Sequence, residues 1–99
     1  MRVVEALVER DISVSTNQGG VIEAKLPRQV GVLGQYDIVV RAYVTPADGG
    51  GSNVLLYGEE GIITKPDQPP VWYRISDEHD GRALATWRKL REVGRVLGQ

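Results

Sequence analysis

Residues 36–44, YDIVVRAYV, are the clearest strand in the chain. Ile38, Val40, Ala42 and Val44 fall on one side of an extended backbone, and Asp37, Val39, Arg41 and Tyr43 fall on the other. β-Branched and aromatic residues dominate the segment, as a half-buried pleated surface favours. One side is therefore expected to meet a core, while the side carrying Val39, Arg41 and Tyr43 is expected to face outward.

Upstream, Val4, Ala6, Val8, Ile12 and Val14 alternate with polar residues, which favours a long strand. Val3, Val4, Leu7 and Val8 also fit a short helix over residues 2–9, the rival reading. Asn17-Gln18-Gly19-Gly20 then separates two alternating segments, and VIEAKL follows until Pro27 closes it. That pattern predicts a hairpin. Gly31 and Gly34 interrupt the approach to residues 36–44.

Downstream, TPADGGGSN (residues 45–53) has the composition of a flexible loop. Val54-Leu55-Leu56-Tyr57, a Gly58-Glu59-Glu60-Gly61 turn and Ile62-Ile63-Thr64 read as a second hairpin. KPDQPP stiffens the chain before a last strand, Val71-Trp72-Tyr73-Arg74-Ile75. From Arg82 onward the period changes. Ala83, Leu84, Trp87, Leu90, Val93 and Leu97 recur at spacings of three or four, the apolar face of a helix over residues 76–97. Gly94 interrupts that face and is expected to shorten the helix, because an interior glycine costs about 1 kcal/mol relative to alanine.

The elements add up to an α+β fold: a strongly curved antiparallel β-sheet or small open β-barrel of about five to seven strands, with a C-terminal amphipathic helix. Ninety-nine residues suffice for a single domain over 1–99, β-rich through residue 75. With 41% hydrophobic and 25% charged residues, the composition is that of a globular protein.

A net charge of −1 speaks against a globally basic nucleic-acid protein. The distribution is uneven, however. Residues 1–80 hold seven Lys/Arg and twelve Asp/Glu, whereas residues 81–99 hold five Lys/Arg and one Glu. There is no cysteine, which removes disulfides, thiolate nucleophiles and sulfur-ligated zinc from consideration. Glu5 and Glu9 break the apolar run that a signal peptide needs, and no stretch reaches the roughly 20 apolar residues of a membrane span. A cytoplasmic location without membrane contact is expected.

The only histidine lies in YRISDEHDGR, residues 73–82, among Asp77, Glu78 and Asp80. Ser76, Asp77 and Asp80 suit the start of a helix, where unpaired N–H groups and the dipole favour such side chains. The run lacks calcium-loop spacing, and one histidine without cysteine supplies a transition-metal site poorly. Gly49-Gly50-Gly51-Ser52 lacks the Lys-Ser/Thr ending of a phosphate loop. No catalytic, metal or cofactor residues are assigned.

Three functions are compatible with the sequence. The favoured one is a small non-enzymatic interaction or assembly module that binds a protein partner or itself. Its surface is Val39, Arg41 and Tyr43, or the loop residues Asp48, Gly49, Gly50, Gly51 and Asn53. The first alternative is a nucleic-acid-binding small β-barrel that uses Arg88, Arg91 and Arg95 on one helix stripe, flanked by Lys89 and Arg82. The second is a small-ligand or enzyme domain with a pocket near Trp72, Tyr73 and His79.

Overall fold

The alternation in residues 36–44 forms the middle of a longer strand. A computed structural model describes residues 2–32 and 34–98 and contains eight elements. They are α1 (Arg2–Val8), β1 (Thr16–Gln18), β2 (Val21–Lys25), β3 (Gln29–Gly31), β4 (Gly34–Pro46), β5 (Ser52–Ile63), β6 (Val71–Arg74) and α2 (Gly81–Gly98). The six strands make one antiparallel sheet in the order β1-β2-β4-β5-β6. β3 lies beyond β2 along the same edge of β4, and the sheet does not close into a barrel. This is an α+β fold with an open antiparallel sheet and a C-terminal helix.

β4 and β5 pair along almost their whole lengths, from Gln35↔Ile63 to Pro46↔Ser52. Thirteen residues of extended chain reach about 44 Å at roughly 3.4 Å per residue. That reach accounts for the long axis of 49 Å beside extents of 24 and 20 Å.

Ile22 and Ala24 of β2 and Ile38, Val40 and Ala42 of β4 are buried on one face of the sheet. The helices cover that face through Ala6 and Leu7 of α1 and Ala83, Leu90 and Val93 of α2. The even-numbered side of residues 36–44 is thus the core side, as its composition requires. The first hairpin also forms, with Gln18 paired to Val21. Gly19 and Gly20 stand between them with φ of 59° and 80°, and two successive left-handed residues make the turn whose twist suits a two-residue hairpin.

The N-terminal segment departs from the long strand that its alternation favours: residues 2–8 are helical. Val3, Ala6 and Leu7 are the buried positions, a spacing that only a helix places on one face, and α2 receives that face. The end of α1 is fixed by a Schellman motif. Ile12 N donates to Leu7 O and Asp11 N to Val8 O, both at 3.0 Å, with Asp11 in the left-handed region at φ 61°. Ile12, buried beside Leu7 in the same core, completes the motif.

The second expected turn is also absent. Gly58-Glu59-Glu60-Gly61 lies inside a continuous β5, and both glycines mark close approaches in place of a reversal. A Cβ on Gly58 would stand 2.6 Å from Ile75 Cδ1 and 3.3 Å from Leu90 Cδ1, whereas one on Gly61 would meet the Trp72 indole at 2.9 Å. The flexible loop is likewise shorter than residues 45–53, because Thr45 and Pro46 pair with Asn53 and Ser52.

At the C-terminal end, α2 begins at Gly81, after a turn over residues 76–80. Asp80 takes the N-cap position, its carbonyl accepting from Leu84 N at 3.3 Å. Gly94 does not end the helix, which runs on to Gly98. No helix among the described residues is long and apolar enough to cross a membrane.

Candidate functional site

Both helices pack on one side of the sheet, and among the described residues no further element covers the other side. The register assigns its occupants. Glu23 and Lys25 of β2 face this way, with Asp37, Val39, Arg41 and Tyr43 of β4, Tyr57 and Glu59 of β5, and Trp72 and Arg74 of β6.

Arg41 is the centre of the face. Its Nε donates to Glu23 Oε2 at 3.0 Å on one neighbouring strand, and its Nη1 donates to Glu59 Oε1 at 2.5 Å on the other. Partial burial works against the charge, but hydrogen bonds and attraction from the flanking carboxylates outweigh it and hold the guanidinium above its ordinary value. One cation thus ties three strands together. Beside it, Tyr57 and Tyr43 stack with ring centroids 6.0 Å apart and planes 16° from parallel, and the Arg74 guanidinium lies 4.1 Å from the Tyr57 centroid. Arg74, Tyr57 and Tyr43 therefore form a diagonal row across β6, β5 and β4, each ring and fork fixed by its neighbour.

Val39 stands among these groups yet is only 6% exposed. It lines a hollow of about 590 Å³ with Leu26, Arg28, Asp37, Arg41 and Trp72. Trp72 lies over the backbone of Gly61 and remains 41% exposed. At the far side of the hollow Arg28 grips Asp37 with both arms of its fork, Nε to Oδ1 at 2.8 Å and Nη2 to Oδ2 at 2.9 Å, while Nη1 donates to Gln35 Oε1 at 2.9 Å.

The Arg28 hydrogen bonds hold the Asp37 carboxyl below its ordinary value of 3.8, against the opposing effect of burial and with added attraction from Arg28 and Arg82. A carboxyl whose folded pKa is depressed stabilises the fold fully above its unfolded value. That contribution disappears as pH falls through the lower folded value. Asp37→Asn is therefore expected to flatten the fall of stability below about pH 4, as read from urea midpoints in an acid pH series. An unchanged acid limb would show that the fork contributes nothing to folding.

The structure brings Val39, Arg41 and Tyr43 into one row, as their alternation requires. Asp48, Gly49, Gly50 and Gly51 form the tip of the same β4–β5 hairpin, where Ala47 N donates to Gly51 O at 3.2 Å, and Asn53 belongs to the ladder. The arginines of α2 divide. Arg88, Arg91 and Arg95 share an exposed stripe, with Arg91 stacked 5.0 Å from the Trp87 ring. Lys89 and Arg82 stand about 100° or more around the helix from that stripe. Glu92 faces α1 and pairs with Arg10 at 3.4 Å.

Trp72 and Tyr73, adjacent on β6, point to opposite faces of the sheet. His79 belongs to a third location, a hollow of about 680 Å³ shared with Tyr36, Glu60, Glu78, Asp80 and Arg82. Its Nδ1 accepts from Ser76 N at 3.1 Å, which makes the ring part of the turn before α2. No group of three or more His, Asp or Glu side chains among the described residues is placed to hold a metal.

Sequence reasoning missed Glu23, Glu59 and Arg74. Each reaches the site only through cross-strand register, which for Glu59 and Arg74 the turn expected at residues 58–61 concealed. No protein-family model, curated protein or solved structure matches the chain.

Proposed function

We propose that the protein is a small non-enzymatic interaction module that associates with a second copy of itself through the uncovered sheet face. The observation that carries this reading is the Arg74–Tyr57–Tyr43 row beside the Glu23–Arg41–Glu59 bridge. Tyrosine, tryptophan and arginine are the side chains that interfaces favour, and here they are held in place before any partner arrives. Little conformational freedom remains to be lost on binding. Cations and carboxylates are close to balanced on this face, with Lys25, Arg28, Arg41 and Arg74 against Glu23, Asp37 and Glu59, so two copies can meet without net repulsion. A two-fold contact uses the same patch on each partner, which suits one broad continuous face.

Light scattering across a concentration series is expected to show mass rising from monomer towards dimer, and Tyr43→Glu is expected to hold the protein monomeric with its thermal midpoint nearly unchanged. A monomer at every concentration would overturn the self-association reading.

A further inference from the structure

Besides the outer edges of β1, β3 and β6, the sheet leaves residues 52–57 of β5 without a second neighbouring strand among the described residues. β6 covers only Glu59–Ile62 of β5, and after Ile75 N donates to Gly58 O at 3.0 Å the chain departs towards α2. Residues 52–57 keep β4 on one side, with no strand among the described residues on the other. Gly58 O points to the β6 side, so alternation turns the N–H and C=O groups of Val54 and Leu56 the same way. An edge of this kind is a template for another strand.

What lies beside the edge makes it a groove. A hollow of about 440 Å³ is lined by Leu56, Gly58, Trp87, Leu90 and Gly94, and it is followed along the same edge by a second of about 370 Å³ lined by Asn53, Val54, Gly94 and Leu97. Gly94 belongs to both. It sits inside α2 against helix propensity, and a Cβ built there meets nothing within 4 Å. Its lack of a side chain serves no contact within the protein; it leaves the groove open where the two hollows join.

The charge of the groove is one-sided. Arg74 and Arg91 line the first hollow, neither in an ion pair among the described residues, and each is stacked on an aromatic ring, Tyr57 and Trp87. Arg88 and Arg95 are exposed on α2 outside the groove and add to the positive charge of that helix. Among the described residues no carboxylate side chain lines either hollow. A second copy docked edge to edge would set this arginine rim against its own image, which like-charge repulsion opposes.

We infer that the free edge of β5 receives an extended acidic segment of another protein, added as a strand beside residues 52–57. Its apolar side chains enter the space at Gly94 on the helix side, its carboxylates on the opposite side meet Arg74, and Arg91 adds positive charge at the helix wall of the groove. This surface shares Arg74 with the Tyr43 face, but Gly94 and Arg91 belong to it alone, so Gly94→Leu and Tyr43→Glu test the two readings separately.

The test uses the full chain and a fluorescein-labelled peptide of alternating glutamate and valine, titrated by fluorescence anisotropy. Saturable binding is expected, with affinity about tenfold or more above that of the lysine–valine counterpart. It should fall by about tenfold or more in Gly94→Leu, whose new side chain fills the groove while the thermal midpoint stays at or above that of the parent. Alternate backbone N-methylation of the peptide, which removes the edge hydrogen bonds, should abolish binding. Equal binding of the methylated peptide, equal binding of the lysine peptide or indifference to Gly94→Leu would each overturn the inference. So would dimerisation that Gly94→Leu abolishes, which assigns the edge to a second copy, or a single-stranded oligonucleotide that binds through Arg88, Arg91 and Arg95 while the peptide does not. Tyr43→Glu should leave peptide binding intact, so loss of self-association alone would not count against the edge.

Discussion

Leu7→Ala is expected to lower the unfolding free energy by about 2–5 kcal/mol, read as a fall in urea midpoint at unchanged slope. Leu7 is 1% exposed, packed where α1 meets α2 and the sheet, and it also supplies the C3 position of the Schellman motif that ends α1. Truncation leaves a cavity in the core and removes the apolar contact with Ile12 that accompanies the motif. Against a total stability of roughly 5–15 kcal/mol the loss is large. The neighbouring Val8 is 54% exposed, and Val8→Ala should change stability by only about 0.5 kcal/mol or less. The pair discriminates sharply. In a strand over residues 4–14, Val8 would face the core and Leu7 the solvent, so the order of the two effects would reverse.

That reversal shows where sequence legibility ended. Val4, Ala6, Val8, Ile12 and Val14 do alternate, but alternation also arises where a short helix is followed by extended chain. Only α2, delivered from the other end of the protein, decides that Val3, Ala6 and Leu7 form the buried set. Asp11 is the one local signal for the helix end, and an aspartate in the left-handed region cannot be distinguished by type from an aspartate in a strand. By contrast β4, the Gly19-Gly20 turn and α2 were legible because each is specified by its own residues: period two over nine positions, two adjacent glycines, and period 3.6 over four turns.

The site divides along the same line. Val39, Arg41 and Tyr43 share a face by their spacing alone, and the sequence shows it. Their partners Glu23, Tyr57, Glu59 and Arg74 lie on three other strands, and placing them requires the register. For the partners on β5 and β6, fixing that register depends on residues 58–61. Two glycines around two glutamates carry the composition of a turn, and nothing local reveals that one glycine lies under a helix and the other under an indole.

Those two glycines give the second large effect. Gly58→Val is expected to cost about 3 kcal/mol, because the first added carbon falls 2.6 Å from Ile75 Cδ1 and 3.3 Å from Leu90 Cδ1. Ile75 and Leu90 are themselves buried in the core between β5 and α2, so neither can move aside without displacing further core atoms. The helix must lift from the strand, and the expected readout is a lowered thermal midpoint with weakened packing between sheet and helix. Gly61→Ala meets the Trp72 ring at a similar 2.9 Å, but that ring is on the uncovered face and can swing into solvent. Its cost should stay under about 1 kcal/mol, with a red shift of Trp72 emission measured in a Trp87→Phe background. If residues 58–61 formed a turn, neither substitution would meet a packed neighbour and the two would have similar small effects. A large loss at Gly58 beside a small one at Gly61 therefore reports at once that β5 runs straight through, that α2 lies on one face of the sheet, and that the other face is open.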